Sequence, residues 1–169
     1  VDFATQGQLI GHNTGFYDVT ISCECFEHNP FWVETFANML RLTRPGGMVI
    51  MSCATTGRVE HGTAWSEVNS SPLTQKIGWN YYKNLTSDDF LPKFNFAGWF
   101  SGFQFLINPH SSDLYFYGIR SGATLDLEQI KNVTATLMTY GVKYDKAWLE
   151  QGGEIFLCRS EDAASLLLR

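Results

Sequence analysis

The first clear hydrophobic pattern is an almost continuous run of apolar and β-branched residues at positions 16–23, which predicts a buried strand covered on both faces. A polar stretch ending at Pro30 follows, and proline suits the first turn of a helix. Further on, apolar side chains recur at the spacing of one helical face, which predicts a helix from about Pro30 to Arg44. The sequence Pro45-Gly46-Gly47 is expected to end it. The apolar positions of this face are Trp32, Phe36, Met39 and Leu40.

A second short apolar run at positions 48–53 predicts another strand directly after the helix. Two strands joined by one helix through short connections are typical of a parallel crossover unit, which places the chain in the α/β class. Positions 54–86 then lose all periodicity and are rich in Gly, Ser and Asn. A segment this long is predicted to be a lid or a substrate-facing insertion.

The remaining pattern predicts three further elements. Thr86 is a good N-cap for a short helix that extends toward Phe94. Aromatic-rich runs at 102–107 and 114–119, separated by six turn-forming residues, predict an antiparallel hairpin. An amphipathic helix is predicted before Gly141, and a short strand at 154–158. Residues 1–122 are therefore predicted to form the main domain, with 123–169 as an appendage packed on it. The apolar positions of that helix are Leu127, Ile130, Val133 and Leu137.

Composition narrows the range of partners. The chain has 169 residues and a formal net charge of −5, which gives no electrostatic basis for binding nucleic acids or anionic membranes. It contains no apolar run of about 18 residues, the length that a membrane span needs. Four cysteines without a Cys-x-x-Cys pair indicate reduced, mostly buried thiols and a cytoplasmic protein.

The candidate chemistry lies where the two predicted strands end. Glu24, Glu27 and His28 follow the first strand, and Glu60 and His61 follow the second. Ligands of open α/β sheets bind beyond the carboxyl ends of the strands, so these side chains are expected to gather around a divalent cation such as Mg²⁺ or Mn²⁺. The alternative is structural: Glu27 caps the helix that begins near Pro30, and His28 packs against its first turn.

In order, the strand, the Glu24-x-x-Glu27-His28 motif, the helix, the Leu42–Gly47 segment and the second strand resemble the central block of class I S-adenosylmethionine-dependent methyltransferases. The resemblance covers about residues 1–120. It implies a Rossmann-like sheet with strand order 3-2-1-4-5-7-6, in which the block supplies the fourth and fifth strands and the hairpin supplies the sixth and seventh. The implied activity is methyl transfer from S-adenosylmethionine to a small-molecule acceptor, with an oxygen of a metabolite or sugar as the expected target.

The resemblance also implies roles for particular residues. Those on the cofactor side are Gln6, Gly7 and Gln8 near the adenine and Cys23 and Glu24 at the end of the strand. The Glu-x-x-Glu-His motif is similar to the Mg²⁺-binding motif of ubiquinone-pathway O-methyltransferases and small-RNA 2′-O-methyltransferases. By that similarity the metal ligands are Glu24, Glu27, His28 and, as a fourth ligand, His61. Alternatively His28, with Glu27 beside it, is the catalytic base.

The chain departs from the family pattern at its start. The family's first strand, Gly-rich turn and helix, which receive the cofactor, have no counterpart before residue 16. The sheet is therefore expected to be truncated at its N-terminal βαβ unit, which would leave the strand at 16–23 as a bare edge. A bare apolar edge predicts a homo-oligomer formed through that strand. The alternative function is a non-catalytic remnant of this fold that self-associates without binding the cofactor.

Overall fold

The computed structural model describes residues 14–122 and 127–150. Five strands and six helices are arranged along these residues, with 3₁₀ turns at Phe26–His28 and Val68–Ser70. The strands are β1 (Tyr17–Cys23), β2 (Thr43–Ala54), β3 (Phe100–Asn108), β4 (Asp113–Arg120) and β5 (Lys143–Tyr144). The helices are α1 (Trp32–Leu42), α2 (Pro72–Lys76), α3 (Ser87–Phe90), α4 (Phe96–Trp99), α5 (Leu127–Thr139) and α6 (Lys146–Glu150).

All five strands belong to one mixed sheet with the order β1-β2-β4-β3-β5. The β1 and β2 strands are parallel, and every other pairing is antiparallel. The predicted α/β class and the β3–β4 hairpin are confirmed. The first four strands also have the order 4-5-7-6 that the Rossmann-like methyltransferase sheet predicts for them.

The prediction that the first strand is covered on both faces is wrong. Thr20 is the one buried residue of β1, and the side chain of Ile21 is 61% exposed. The reason is its position, since β1 forms one edge of the described sheet and pairs with β2 alone. This agrees with the other expectation for the strand, that it lies bare at an edge.

The junction between α1 and β2 also differs from the prediction. The helix ends at Leu42 and β2 begins at once, so that Pro45, Gly46 and Gly47 lie inside a strand. The register moves from Tyr17 opposite Thr43 to Val19 opposite Met48, which makes residues 44–47 a bulge. Gly46 has a φ of 73°, and a Cβ on Gly47 would lie 2.6 Å from the Asp18 carbonyl oxygen, so the bulge depends on both glycines.

The other predicted helices are present with altered ends. Thr86 begins α3, where its backbone N–H donates to the Asp89 carboxylate, but this helix ends at Phe90 rather than near Phe94. Helix α5 ends at Thr139, and Gly141 follows with a φ of 79°. The predicted strand at 154–158 lies outside the described residues. No helix in the described ranges is long and apolar enough to cross a membrane.

An aromatic core lies between α1, α3, α4 and one face of the sheet. Phe36 packs against Phe90 and Phe116 with ring centroids 5.4 Å apart in both pairs. Helix α6, the last within the described residues, also joins this core through Trp148, whose ring is near Phe103. The buried Asp145 carboxylate accepts hydrogen bonds from the Ser87 hydroxyl at 2.6 Å and from the backbone N–H of Trp148 at 2.8 Å. The division at 1–122 and 123–169 stays a prediction, while residues 143–150 pack against the main sheet.

We expect Trp148→Ala to destabilise the protein by about 3–5 kcal/mol, because truncating a buried aromatic side chain leaves a cavity. Trp148 is 1% exposed, whereas Trp65, in the insertion, is 84% exposed. The matched control Trp65→Ala is therefore expected to change stability by less than about 0.5 kcal/mol. Urea unfolding followed by circular dichroism measures both, and equal effects of the two variants would contradict the packing described for α6.

Candidate active site

The site begins with the 3₁₀ turn that follows β1. Glu24, which directly follows β1, has a φ of 47°, and this angle turns the chain sharply away from the strand. Phe26 then enters the core, where it stacks on Phe90 at 6.3 Å and meets Phe36 edge-on at 6.4 Å. The Lys83 N–H donates to the Glu27 carbonyl at 2.9 Å. These contacts fix the turn, so Glu27 and His28 are held beneath the insertion rather than on its surface.

The insertion supplies the other wall of the site. The Val59 carbonyl oxygen lies 3.0 Å from His61 Nδ1 and accepts a hydrogen bond from the Tyr82 hydroxyl at 3.3 Å. The single proton of this hydroxyl is shared with Asn84 Oδ1, which is the nearer acceptor at 2.9 Å. Gly62 has a φ of 67°, and a Cβ there would lie 2.7 Å from His28 Cε1. Only glycine at this position lets the insertion approach the histidine so closely.

Glu27, His28 and His61 converge on one point. Each offers one ligand atom, and these atoms all lie within 4.8 Å of one another. The His28 Nε2 and Glu27 Oε1 atoms are 3.9 Å apart, too far for a hydrogen bond. The two imidazole rings meet edge to face at 4.9 Å, and the Tyr82 ring lies 5.5 Å from His28 and 5.0 Å from His61.

Two members of this group are buried without hydrogen bonds. Within the described residues, both Glu27 carboxylate oxygens and His28 Nδ1 are buried and have no hydrogen-bond partner. Burial raises the pKa of Glu27 to about 7, although the backbone N–H groups of Glu27 and Ala54 oppose this shift; the charge of Glu24 adds to it. Burial, reinforced by His61, lowers the pKa of His28 to about 4. At neutral pH His28 is therefore an uncharged imidazole with an available lone pair.

The other predicted site residues lie apart from this group. Glu24 is exposed and its Oε1 accepts a hydrogen bond from the Ser52 hydroxyl at 2.7 Å. Cys23 is exposed at the end of β1, and Cys25 is also exposed, so the expectation of mostly buried thiols fails for both; Cys53 is buried. Gln6, Gly7 and Gln8 lie outside the described residues, as does Cys158.

The structural alternative for the Glu-His pair is not observed. Glu27 accepts no capping hydrogen bond, and the helix begins at Trp32 rather than Pro30. Phe31 is the N-cap residue and receives no side-chain cap, while Asn29 Oδ1 accepts from the Phe31 N–H at 2.8 Å in the turn before the helix. The insertion also brings Tyr82 against both histidines. Its contact with both histidines depends on the path of the insertion, for which the sequence carries no periodic signal.

Two cavities border the group and the strand before it. A polar cavity of about 410 Å³ adjoins His61. A largely apolar groove of about 630 Å³ runs along the exposed edge of β1, where Ile77 and Trp79 of the insertion face Val19 and Ile21. The polar cavity is lined by Arg58, Val59, Glu60, His61, Glu67 and Ser70. Arg58 is engaged with Asp113 at 3.0 Å and with the Ser111 carbonyl, which holds the insertion against the β3–β4 turn.

Comparison with known proteins gives partial similarities. No protein-family model matches the chain. Prosolanapyrone synthase from Alternaria solani is 30% identical over 81 residues, which cover 41% of this chain and 3% of that protein. The structure of the CurJ carbon methyltransferase is similar at 17% identity and a TM-score of 0.49, covering 72% of this chain and 34% of that one. An O-methyltransferase family protein from Burkholderia thailandensis is similar at 15% identity and a TM-score of 0.47, covering 73% and 35%.

We expect Glu27 and His28 to affect stability with opposite pH dependence. The folded-state pKa of Glu27 is raised to about 7, so its contribution to stability falls as the pH rises from about 4.5 to 7. The folded-state pKa of His28 is lowered to about 4, so its contribution rises between about pH 4 and 6.5. Relative to the wild type, Glu27→Gln should gain on the order of 1–3 kcal/mol from pH 4.5 to 7, and His28→Gln should lose stability between pH 4 and 6.5.

Urea unfolding at a series of pH values, in the presence of a chelator, measures both effects. The two variants serve as controls for each other, because general acid destabilisation acts on both in the same direction. Difference curves for the two variants that run parallel would contradict the opposite shifts assigned to this pair.

Proposed function

We propose that this chain is an S-adenosylmethionine-dependent methyltransferase domain that acts on an oxygen of a small metabolite or sugar. The observation that carries the proposal is the meeting of Glu27, His28 and His61 beyond the carboxyl ends of β1 and β2. In open α/β sheets this edge is where ligands bind. The strand order of the sheet supports the methyltransferase class in particular.

The polar cavity beside His61 is the proposed acceptor site. Its volume of about 410 Å³ is within the usual range for small-molecule pockets of about 300–1,000 Å³. Glu60, Glu67 and Ser70 line it, and residues with carboxylate and hydroxyl oxygens suit an acceptor that carries several hydroxyls. The large negative charge of the chain also makes a nucleic acid an unsuitable acceptor.

In the proposed reaction the chain's own residues remove a proton and position the acceptor. When bound, S-adenosylmethionine would supply an electrophilic methyl group on a positively charged sulfur that leaves as a neutral thioether. His28, which is neutral at pH 7, takes the hydroxyl proton, and the ionised form of Glu27, whose Oε1 lies 3.9 Å from His28 Nε2, offsets part of the cost that burial places on the imidazolium. Cys23 and Glu24 would line the cofactor at the end of β1, and Gln6, Gly7 and Gln8 would face the adenine.

The residues present do not fit the Mg²⁺ ion that the Glu-x-x-Glu-His motif implies. Mg²⁺ prefers carboxylate, phosphate and water oxygens, whereas the group that converges here has two imidazoles and one carboxylate. Glu24, the second carboxylate of the motif, bonds to Ser52 instead. Mg²⁺ therefore has no role in the proposed reaction.

Isothermal titration with S-adenosylhomocysteine tests the proposal, and we expect binding in the micromolar range. His28→Gln should retain this binding but lower methyl transfer to hydroxylated acceptors about 10²–10⁴-fold, the usual contribution of a general base. The control His110→Gln changes a histidine in the β3–β4 turn and should leave both measurements unchanged. A sample that is folded by circular dichroism and binds no S-adenosylhomocysteine would favour the non-catalytic alternative.

A specific observation favours self-association, which both functions allow. The edge of β1 exposes Phe16, Tyr17, Val19 and Ile21, and a long apolar edge is prone to strand pairing. We propose that β1 pairs with β1 of a second copy, as a cytoplasmic homodimer. The cytoplasmic location rests on the sequence alone.

Light scattering after size exclusion tests the dimer at micromolar concentration. We expect Ile21→Lys to shift the protein to a monomer, because a charge on an edge strand opposes pairing. The control is Val59→Lys, at an exposed apolar position of the insertion, and it should leave the dimer intact. A wild-type protein that is monodisperse and monomeric would rule the dimer out.

A further inference from the structure

The strongest unused feature of the molecule is the set of lone pairs that face one another at Glu27, His28 and His61. We propose that these three side chains bind a divalent first-row transition metal ion of the kind that takes imidazole ligands, such as Zn²⁺ or Co²⁺, and that Glu24 takes no part. Two imidazoles with one carboxylate form a ligand set that suits such ions. The proposal rests on the positions of these atoms and not on methyl transfer.

The burial of Glu27 is the first independent support. Its side chain is 0% exposed, and neither carboxylate oxygen has a partner in good hydrogen-bond geometry among the described residues, although the backbone N–H groups of Glu27 and Ala54 are near enough to lower its pKa in part. A buried carboxylate without partners is costly, so folded proteins normally pair it or use it as a metal ligand. A cation held by Glu27 would satisfy the oxygens that the protein leaves without partners.

The hydrogen bonding of His61 is the second independent support for a metal ion. The Val59 carbonyl can only accept, so the 3.0 Å contact requires the proton of a neutral His61 ring to be on Nδ1. The lone pair then lies on Nε2, which is free to ligate. A metal-bound histidine commonly donates its other ring N–H to a backbone carbonyl in this way. Tyr82, which bonds to the same carbonyl, holds this arrangement against the ring of His28.

The separations allow one ion after the ligands close around it. Tetrahedral ligands about 2.1 Å from one ion lie about 3.4 Å apart. His28 Nε2 and Glu27 Oε1, at 3.9 Å, are about 0.5 Å from this separation. All the ligand atoms lie within 4.8 Å of one another, so the widest allowed separation requires a closure of about 1.4 Å. His61 is part of the insertion and is partly exposed, so a movement of its side chain can provide this closure.

An ion and a proton compete for the same lone pairs. Metal binding to histidine requires the neutral ring and releases any proton that it carries. A loaded site would therefore occupy His28 and withdraw it from the base role proposed above. Measuring the metal alone, without cofactor or acceptor, keeps the two proposals separate.

The test titrates the chelator-treated full chain with Co²⁺ and with Zn²⁺, followed by calorimetry and by the visible absorption of bound Co²⁺. We expect one ion per chain with micromolar affinity or better, no displacement of Co²⁺ by millimolar Mg²⁺, and at least about a 100-fold loss of affinity in Glu27→Gln and in His61→Ala. Circular dichroism of each variant confirms folding, and His61→Ala removes a partly exposed side chain that the core does not need.

Two control variants make the assignment specific. His110→Ala removes a histidine outside the group, and Glu24→Gln removes the carboxylate that the Mg²⁺ motif would require; both should bind Co²⁺ like the wild type. The proposal is overturned if wild type fails to bind, if Mg²⁺ displaces Co²⁺, or if Glu24→Gln weakens binding as much as Glu27→Gln. Failure to bind S-adenosylhomocysteine would leave this result unaffected and would count only against methyl transfer.

Discussion

The parallel pairing of β1 with β2 is the contact on which the site depends. From Val19 opposite Met48 to Cys23 opposite Ser52 the two strands run in register, and the Glu24 N–H continues the ladder by donating to the Ser52 carbonyl at 2.9 Å. The two strands therefore end at the same edge of the sheet and at the same level. The turn with Glu27 and His28 and the insertion with His61 start from these two neighbouring ends.

The aromatic core then determines which side chains of the first turn face the site. Phe26 packs against Phe36 and Phe90 in the core. Because the 3₁₀ turn is so short, the next two residues, Glu27 and His28, are directed toward the insertion. Gly62 and Tyr82 complete the opposite wall of the site. Gly62 lacks a side chain and so leaves room for His28, while the Tyr82 ring packs against His61. Core packing and site geometry are thus coupled through a single phenylalanine.

The sequence predicted the parts of the molecule that follow a regular period. The strand–helix–strand unit, the hairpin and the convergence of Glu27, His28 and His61 all follow from runs of apolar residues and from the rule that parallel strands end together. The exposure of β1 followed only from the family resemblance, because its apolar residues are those of a covered strand. The direction of Glu24 could not be predicted, since it depends on one left-handed backbone angle of a non-glycine residue.

The insertion was the least predictable part because its contacts are specific rather than periodic. Tyr82 reaches the histidines through hydrogen bonds to Val59 and Asn84, and no spacing along the chain indicates those bonds. The cluster that results is costly for folding: a buried carboxylate and a buried imidazole are 3.9 Å apart and do not bond to each other. A core selected for stability alone would place apolar side chains there. Groups that destabilise the fold in this way are typical of functional sites, and here they lie at the edge where the sheet would receive a ligand.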